Sequence, residues 1–386
     1  KDSRFRAASR GVMGSFLGIV GSSGTHEPDE LADLFRLLAT RHWGGPLGAA
    51  RARVMGDLEL ATSGEEVGTQ IELEAPIRVA GHLVFAGVSF VSPVSLAGWQ
   101  VEGRIDGCGA RAMRSLSVTE FRVENGIGRV SAQGLGLVEY PDSAVKLDEL
   151  RIDGSLDLGS LDADGGIALR RAHVGGRLCL AGARLNPHAF EDESRKPSPI
   201  SAEHLELAGS LEMQGLRSHG PISLKAADIG GDVDLSGASI AYWAGASQWS
   251  WASIDLENAS IAGDLRINRY VRHGLEPGLA DDARVKAIDE LAPTLLGGAV
   301  DAENARIGGS VLACHCHVLG DLDFRGARIA HNLSIFGLPG ATPLPAAVRA
   351  TVVDGEICAY EASVGGYIHL DGTVCRQIDL NFVDAK

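Results

Sequence analysis

An 11-residue unit recurs through this chain, and a period that short leaves little choice of architecture. It is clearest in GGRLCLAGARL at 175–185, GGDVDLSGASI at 230–240, LGDLDFRGARI at 319–329 and GGYIHLDGTVC at 365–375. Weaker copies stand at HLVFAGVSF (82–90), SPVSLAGWQV (92–101) and DGEICAYEASV (354–364). Self-similarity at a fixed period is the mark of a solenoid, in which each repeat buries its apolar side only against its neighbours.

Within the unit the apolar residues fall in i, i+2 pairs: Ile222/Leu224, Ala227/Ile229, Val233/Leu235 and Ala238/Ile240. Alternation with period two puts both members of a pair on one side of a short strand. The spacers are Gly, Ser, Asp or Ala, which tolerate tight corners. Successive pairs are offset alternately by five and six residues, and the frame continues through Ala305/Ile307, Val311/Ala313, Cys316/Val318, Leu322/Phe324, Ala327/Ile329 and Leu333/Ile335. Four such sides close one turn. The expectation is an all-β solenoid, a four-sided β-helix of about 22 residues per coil.

The frame resembles the pentapeptide-repeat family, through Ala227-Asp228-Ile229-Gly230-Gly231 and Ala305-Arg306-Ile307-Gly308-Gly309. In that family A-(D/N)-L-x-x units build a right-handed four-sided β-helix, with the small residue and the Leu or Phe both pointing inward. The resemblance implies the same hand here. The chain departs from the family in its six-residue sides and in its preference for Ile or Val, so it is pentapeptide-like. It is also similar to actinobacterial proteins labelled membrane-associated oxidoreductases, a label for which these residues show no chemistry.

Two regions follow. Residues 1–60 form an N-terminal helical cap, because PDELADLFRLLATRHW at 28–43 opens with Pro and acids and places Leu31, Leu34, Phe35 and Leu38 on one face. Residues 61–386 form the β-helix, interrupted at 186–199, 241–251, 268–298 and 338–350, with a short helix expected near 278–291. Roughly 240 residues remain in coils, or about 11 turns and a rod ~50 Å long at the spacing of neighbouring strands. The open ends of such a rod invite association, so a homo-oligomer through a solenoid end is an expected partner mode.

The 50 acids and 35 bases give a net charge of −15, spread along the chain, which argues against direct nucleic-acid binding and against an anionic membrane surface. The six cysteines lack the density of a disulfide scaffold, so a cytoplasmic location is the expectation. The opening basic residues and the apolar run at 11–21 resemble a signal peptide only superficially, because glycine breaks the run repeatedly. No stretch reaches the ~20 continuous apolar residues of a membrane span.

Against this small-residue background the aromatics cluster. Tyr242, Trp243, Trp249 and Trp251 fall in one interruption, and Arg269, Tyr270, Arg272 and His273 in the next. Large rigid rings beside guanidinium groups suit a protein hot spot or a stacking platform, and these eight residues are the expected binding site. The bland alternative is that they brace their own loops. Cys314-His315-Cys316-His317 offers ligand types for a metal, but Cys316 takes an inward slot while His317 points out, so no metal or other cofactor is expected. Cys375 reads as an inward filler, and Cys179 and Cys358 as outward residues.

The recurrent acids, among them Asp228, Asp232, Asp234, Asp321 and Asp323, read as corner chemistry rather than a catalytic pair. No P-loop, nucleophile elbow, HExxH or dinucleotide fingerprint occurs. The expected function is a non-catalytic protein-interaction scaffold whose partner is another protein. The alternatives are a carbohydrate-active β-helix enzyme and a DNA-mimic inhibitor of a nucleic-acid enzyme.

Overall fold

The computed structural model describes residues 82–119 apart from 92 and 97, then 122–123, 143–185, 199–241, 252–268, 294–337 and 350–385, with short strands between 25 and 79. Among these residues the fold is an all-β solenoid of stacked parallel sheets, without helix. Three hydrogen-bonded sheets contain 23, 12 and 11 strands, and the largest carries two ladders that meet in the long strand Thr351–Cys358.

One coil shows how the chain visits the four ladders. Gln100–Val101, Ile105–Asp106, Arg111–Ala112 and Leu116–Ser117 follow one another, and Arg122–Val123 then pairs with Gln100–Val101 to begin the next coil. We number the ladders 1 to 4 in that order. An uninterrupted coil advances 22 residues, as between Asp148 and Arg170. Among the described residues the two-residue strands typically present one residue inward and longer ones, such as Val311–Cys314, two, and the inward set forms a single continuous core that includes Ile229, Val233, Leu235, Ala238 and Ile240, each at most 1% exposed. The i, i+2 pairs of the sequence are therefore core pairs. Trp99, Phe85 and Phe90 fill the same inward positions in the earlier coils.

The alternation of five and six residues has a backbone cause. The corners between ladders 2 and 3 and between 4 and 1, five residues from apolar pair to apolar pair and six from strand start to strand start, turn through a residue in the left-handed region. Gly109 (φ 65) and Gly215 (φ 66) occupy such sites, as do Asn258 (φ 59) and Asn304 (φ 58). An outward aspartate precedes many of these corners and accepts the amide two residues on: Asp157 from Gly159 at 2.9 Å, Asp234 from Ser236 at 2.9 Å, Asp323 from Arg325 at 3.0 Å. This is an Asx-type turn, and it accounts for much of the regular acidity.

The corner between ladders 3 and 4 uses a different device. There a side chain of one coil accepts a backbone amide of the next: Ser210 from Asp232, Asp232 from Asp264, Asp264 from Ser310, Ser310 from Asn332 and Asn332 from Tyr367. The result is a polar spine running along the rod. A glycine precedes four of these donating amides, those of Asp232, Asp264, Ser310 and Tyr367, and leaves room for the accepting side chain, since a Cβ on Gly309 would lie 2.2 Å from Asp264 Oδ1.

Several boundaries differ from those read in the sequence. Strands Thr25–His26, Arg53–Val54 and Leu58–Glu59 fall within 1–60, and Arg53–Val54 pairs with Arg78–Val79, so parallel ladders reach into the segment assigned to a cap. The expected helices at 28–43 and near 278–291 lie outside the described residues. The interruption assigned to 268–298 ends sooner, because Thr294–Leu296 is already a strand of ladder 1 with Thr294 and Leu296 buried. Toward residue 385 exposure rises: Ile378 is 44% exposed and Phe382, at a left-handed corner, 78%.

Candidate functional site

The interruptions are not scattered. Residues 186–198 and 242–251 both separate a ladder 1 strand from the ladder 2 strand that follows it. Residues 269–293 and 338–349 both separate a ladder 4 strand from the next strand of ladder 1. A further interruption at 124–142, absent from the sequence reading, again lies between ladders 1 and 2, after Arg122–Val123 and before Val145–Lys146. Its glycines and apolar residues imitate the repeat; the sequence signal for it is the lost 22-residue spacing. All five thus open from the two corners that border ladder 1, while among the described coils the corners on either side of ladder 3 stay closed.

Tyr242, Trp243, Trp249, Trp251, Arg269, Tyr270, Arg272 and His273 all lie outside the described residues. What is described is where their segments are anchored. Ser239–Ala241 leads into the tryptophan-bearing segment, and Thr294–Leu296 leads out of the arginine-bearing one. These two strands are direct neighbours in ladder 1, with Ser239 opposite Leu295 and Ile240 opposite Leu296.

A buried threonine marks each return to ladder 1 from ladder 4. Thr294 Oγ1 accepts the Gly237 amide at 2.8 Å and donates to the Asn268 carbonyl. Thr351 Oγ1 accepts the His315 amide at 2.9 Å and donates to the Phe336 carbonyl at 2.6 Å. Both side chains are fully buried, and each hydroxyl adds a second bond to an amide and a carbonyl that also bond each other, Gly237 to Asn268 at 2.9 Å and His315 to Phe336 at 3.4 Å. Ladder 1 also carries outward leucines in slots that elsewhere hold polar residues: Leu295 is 43% exposed and Leu319, just past Cys316–Val318, 52%. The sequence reading missed both, although two leucines breaking the inward alternation were a visible signal.

The Cys-His-Cys-His run spans the corner from ladder 4 to ladder 1. Cys316 is buried, and His317 faces out with Nε2 3.2 Å from Asp354 Oδ2. His315 takes the left-handed corner position at φ 53. Burial pushes the thiols of Cys314 and Cys316 each up to about 12, so both stay protonated at neutral pH, the form least suited to bind metal or attack. Cys375 pairs with Val353 at an inward position, as expected. Cys179 holds the outward register expected of it and is only 8% exposed, on a strand between those of Asp157 and Glu212.

The densest acidic group stands on ladder 2. Carboxylate oxygens of Asp301, Glu303 and Asp323 lie within 4.8 Å of one another. Burial raises the Asp301 carboxyl, with Asp255 and Asp323 adding repulsion. Cations are interleaved, however. Arg325 reaches Glu303 at 3.0 Å and Asp323 at 2.7 Å, and Lys225 bridges Asp255 at 3.2 Å and Glu257 at 2.6 Å. The Asp301 carboxylate also caps its own corner through the Glu303 amide at 3.1 Å. The group is a charge network serving the corners.

Comparison with protein-family models, with curated protein sequences and with solved structures finds no match to this chain. No helix among the described residues is long and apolar enough to cross a membrane.

Proposed function

We propose that this protein is a non-catalytic interaction scaffold: a rigid solenoid that presents its loops along one side to a protein partner. The observation that carries the reading is the confinement of the five interruptions between residues 82 and 385 to the two corners bordering ladder 1. Insertions in solenoids become surface loops, and gathering them on one face concentrates variable contact surface there. Leu295 and Leu319 give that face apolar anchors beside the loops. Tyr242, Trp243, Trp249 and Trp251, with Arg269, Tyr270, Arg272 and His273, are the side chains proposed to contact the partner. The finer architecture belongs to the same proposal, a pentapeptide-like four-sided coil of right hand, the hand that parallel strand connections overwhelmingly adopt.

Affinity capture from native extract tests the reading, with wild type compared against the Trp249→Ala/Trp251→Ala variant at equal folded concentration. Removing two aromatic anchors should weaken capture of a specific partner by about 30-fold, the equivalent of ~2 kcal/mol, with the melting temperature unchanged. Equal capture by both proteins, or unfolding of the variant, returns the tryptophans to a bracing role. Light scattering on the same samples reads self-association through a solenoid end.

A further inference from the structure

Several cations on this surface are matched by carboxylates. Arg177 meets Glu212 at 3.0 Å, Arg266 meets Asp232 at 3.0 Å, and Lys225 and Arg325 each bridge two acids. The arginines of ladder 3 enter no ion pair among the described residues, nor do Arg184 and Arg217, a registered pair of ladder 1. Arg306 and Arg328 stand directly opposite each other in register, both exposed, and neither enters an ion pair among the described residues. Like charges at directly opposed positions of a sheet are destabilising, and the chain, at −15, has no shortage of acids to place between them.

The two arginines border a shallow concavity of about 390 Å3. Ser260 precedes Arg306 on the ladder and Ser363 follows Arg328, so hydroxyls flank the guanidinium pair at the outward positions. The small residues Ala262 and Gly308 keep the adjoining floor low and apolar. Guanidinium groups one strand spacing apart, about 4.8 Å, can share the oxygens of a single tetrahedral anion, each donating through its planar fork.

We propose that Arg306 and Arg328, flanked by Ser260 and Ser363, form a binding site for a phosphate or sulfate oxyanion, free or as the head of a small ester whose organic part rests on the apolar floor. The bound anion replaces the missing counter-charge and relieves the repulsion. The site lies away from the loop-bearing corners and stands or falls independently of the scaffold reading.

Isothermal titration calorimetry of the full chain with inorganic phosphate and with phenyl phosphate is the test. Saturable binding should appear, and the R306Q/R328Q double variant should weaken it at least tenfold. The R111Q/R151Q variant removes another registered arginine pair of ladder 3 and should bind as wild type. A stronger response to phenyl phosphate than to phosphate assigns an ester, and an equal response assigns the free anion; both support the site. Melting in chloride controls for folding: R306Q/R328Q should melt no lower than wild type, because it removes a repulsion. Absence of saturable binding of either probe, or equal weakening in R111Q/R151Q, overturns the proposal.

Discussion

Gly309 shows how a single residue type can be imposed by a neighbouring coil. Its Cβ would stand 2.2 Å from Asp264 Oδ1 and 2.7 Å from the Gly263 carbonyl carbon, so the constraint is steric and comes partly from backbone, which cannot swing aside. Gly215 is constrained differently: nothing lies within 4 Å of its added Cβ, and only its φ of 66 disfavours a side chain. The two glycines separate the costs. Gly215→Ala should destabilise by about 1 kcal/mol, the left-handed penalty alone. Gly309→Ala should cost about 2 kcal/mol or more, because the spine hydrogen bond from Ser310 to Asp264 must also shift. Chemical denaturation of the two variants checks the order, and equal losses would show that the spine yields freely.

At the scale of elements, each strand is too short to persist alone, and its stability comes from stacking. Interrupting a corner therefore threatens the coils on both sides, and the rod answers with a buried hydroxyl where a segment returns to ladder 1 from ladder 4. Thr351→Val keeps the shape but removes the 2.9 Å acceptor of the His315 amide and the 2.6 Å donor of the Phe336 carbonyl, leaving only the longer 3.4 Å bond between those two groups. The expected loss is about 1–3 kcal/mol. Hydrogen exchange should locate it, with faster exchange at residues 313–318 and 351–353 and little change in coils before residue 241. Uniform acceleration along the rod would mean that the coils unfold as one unit.

For the whole molecule, the carboxylates of the spine and the corners couple stability to pH. In Asp264 burial works to raise the carboxyl, but the Ser310 amide and the Arg266 guanidinium outweigh it and hold the group below the ordinary range. A folded-state value below the unfolded one contributes stability that is present above about pH 4 and is lost as pH falls through the folded value. Glu257 is lowered by Lys225 and acts in the same sense. Asp301, raised by burial and by its acidic neighbours, acts in the opposite sense and gives back stability as pH falls through its raised value. Melting temperature should therefore drop as pH falls below about 4, and Asp264→Asn, which keeps an acceptor for Ser310 but cannot titrate, should flatten that drop. An unchanged acid slope in Asp264→Asn would remove Asp264 from the coupling.

The repeat by itself determined the kind of fold. A period-two pair such as Ala227/Ile229 can bury both members only on a strand, and spacers of Gly, Ser and Asp can only be corners, so the inward set and the 22-residue coil were legible before any coordinates. Several things were decided only by stacking. Which side of the rod receives the interruptions depends on which corner each leaves, a sum over spacings that single segments do not display, and residues 124–142 were hidden because their composition mimics the coils. The meaning of the acids was likewise tertiary. Asp232 and Asp264 are unremarkable in sequence but link consecutive coils through their backbone amides. The opposed Arg306 and Arg328 acquire their interest only from register, because a strand's outward residue meets its neighbour one full coil away in the chain.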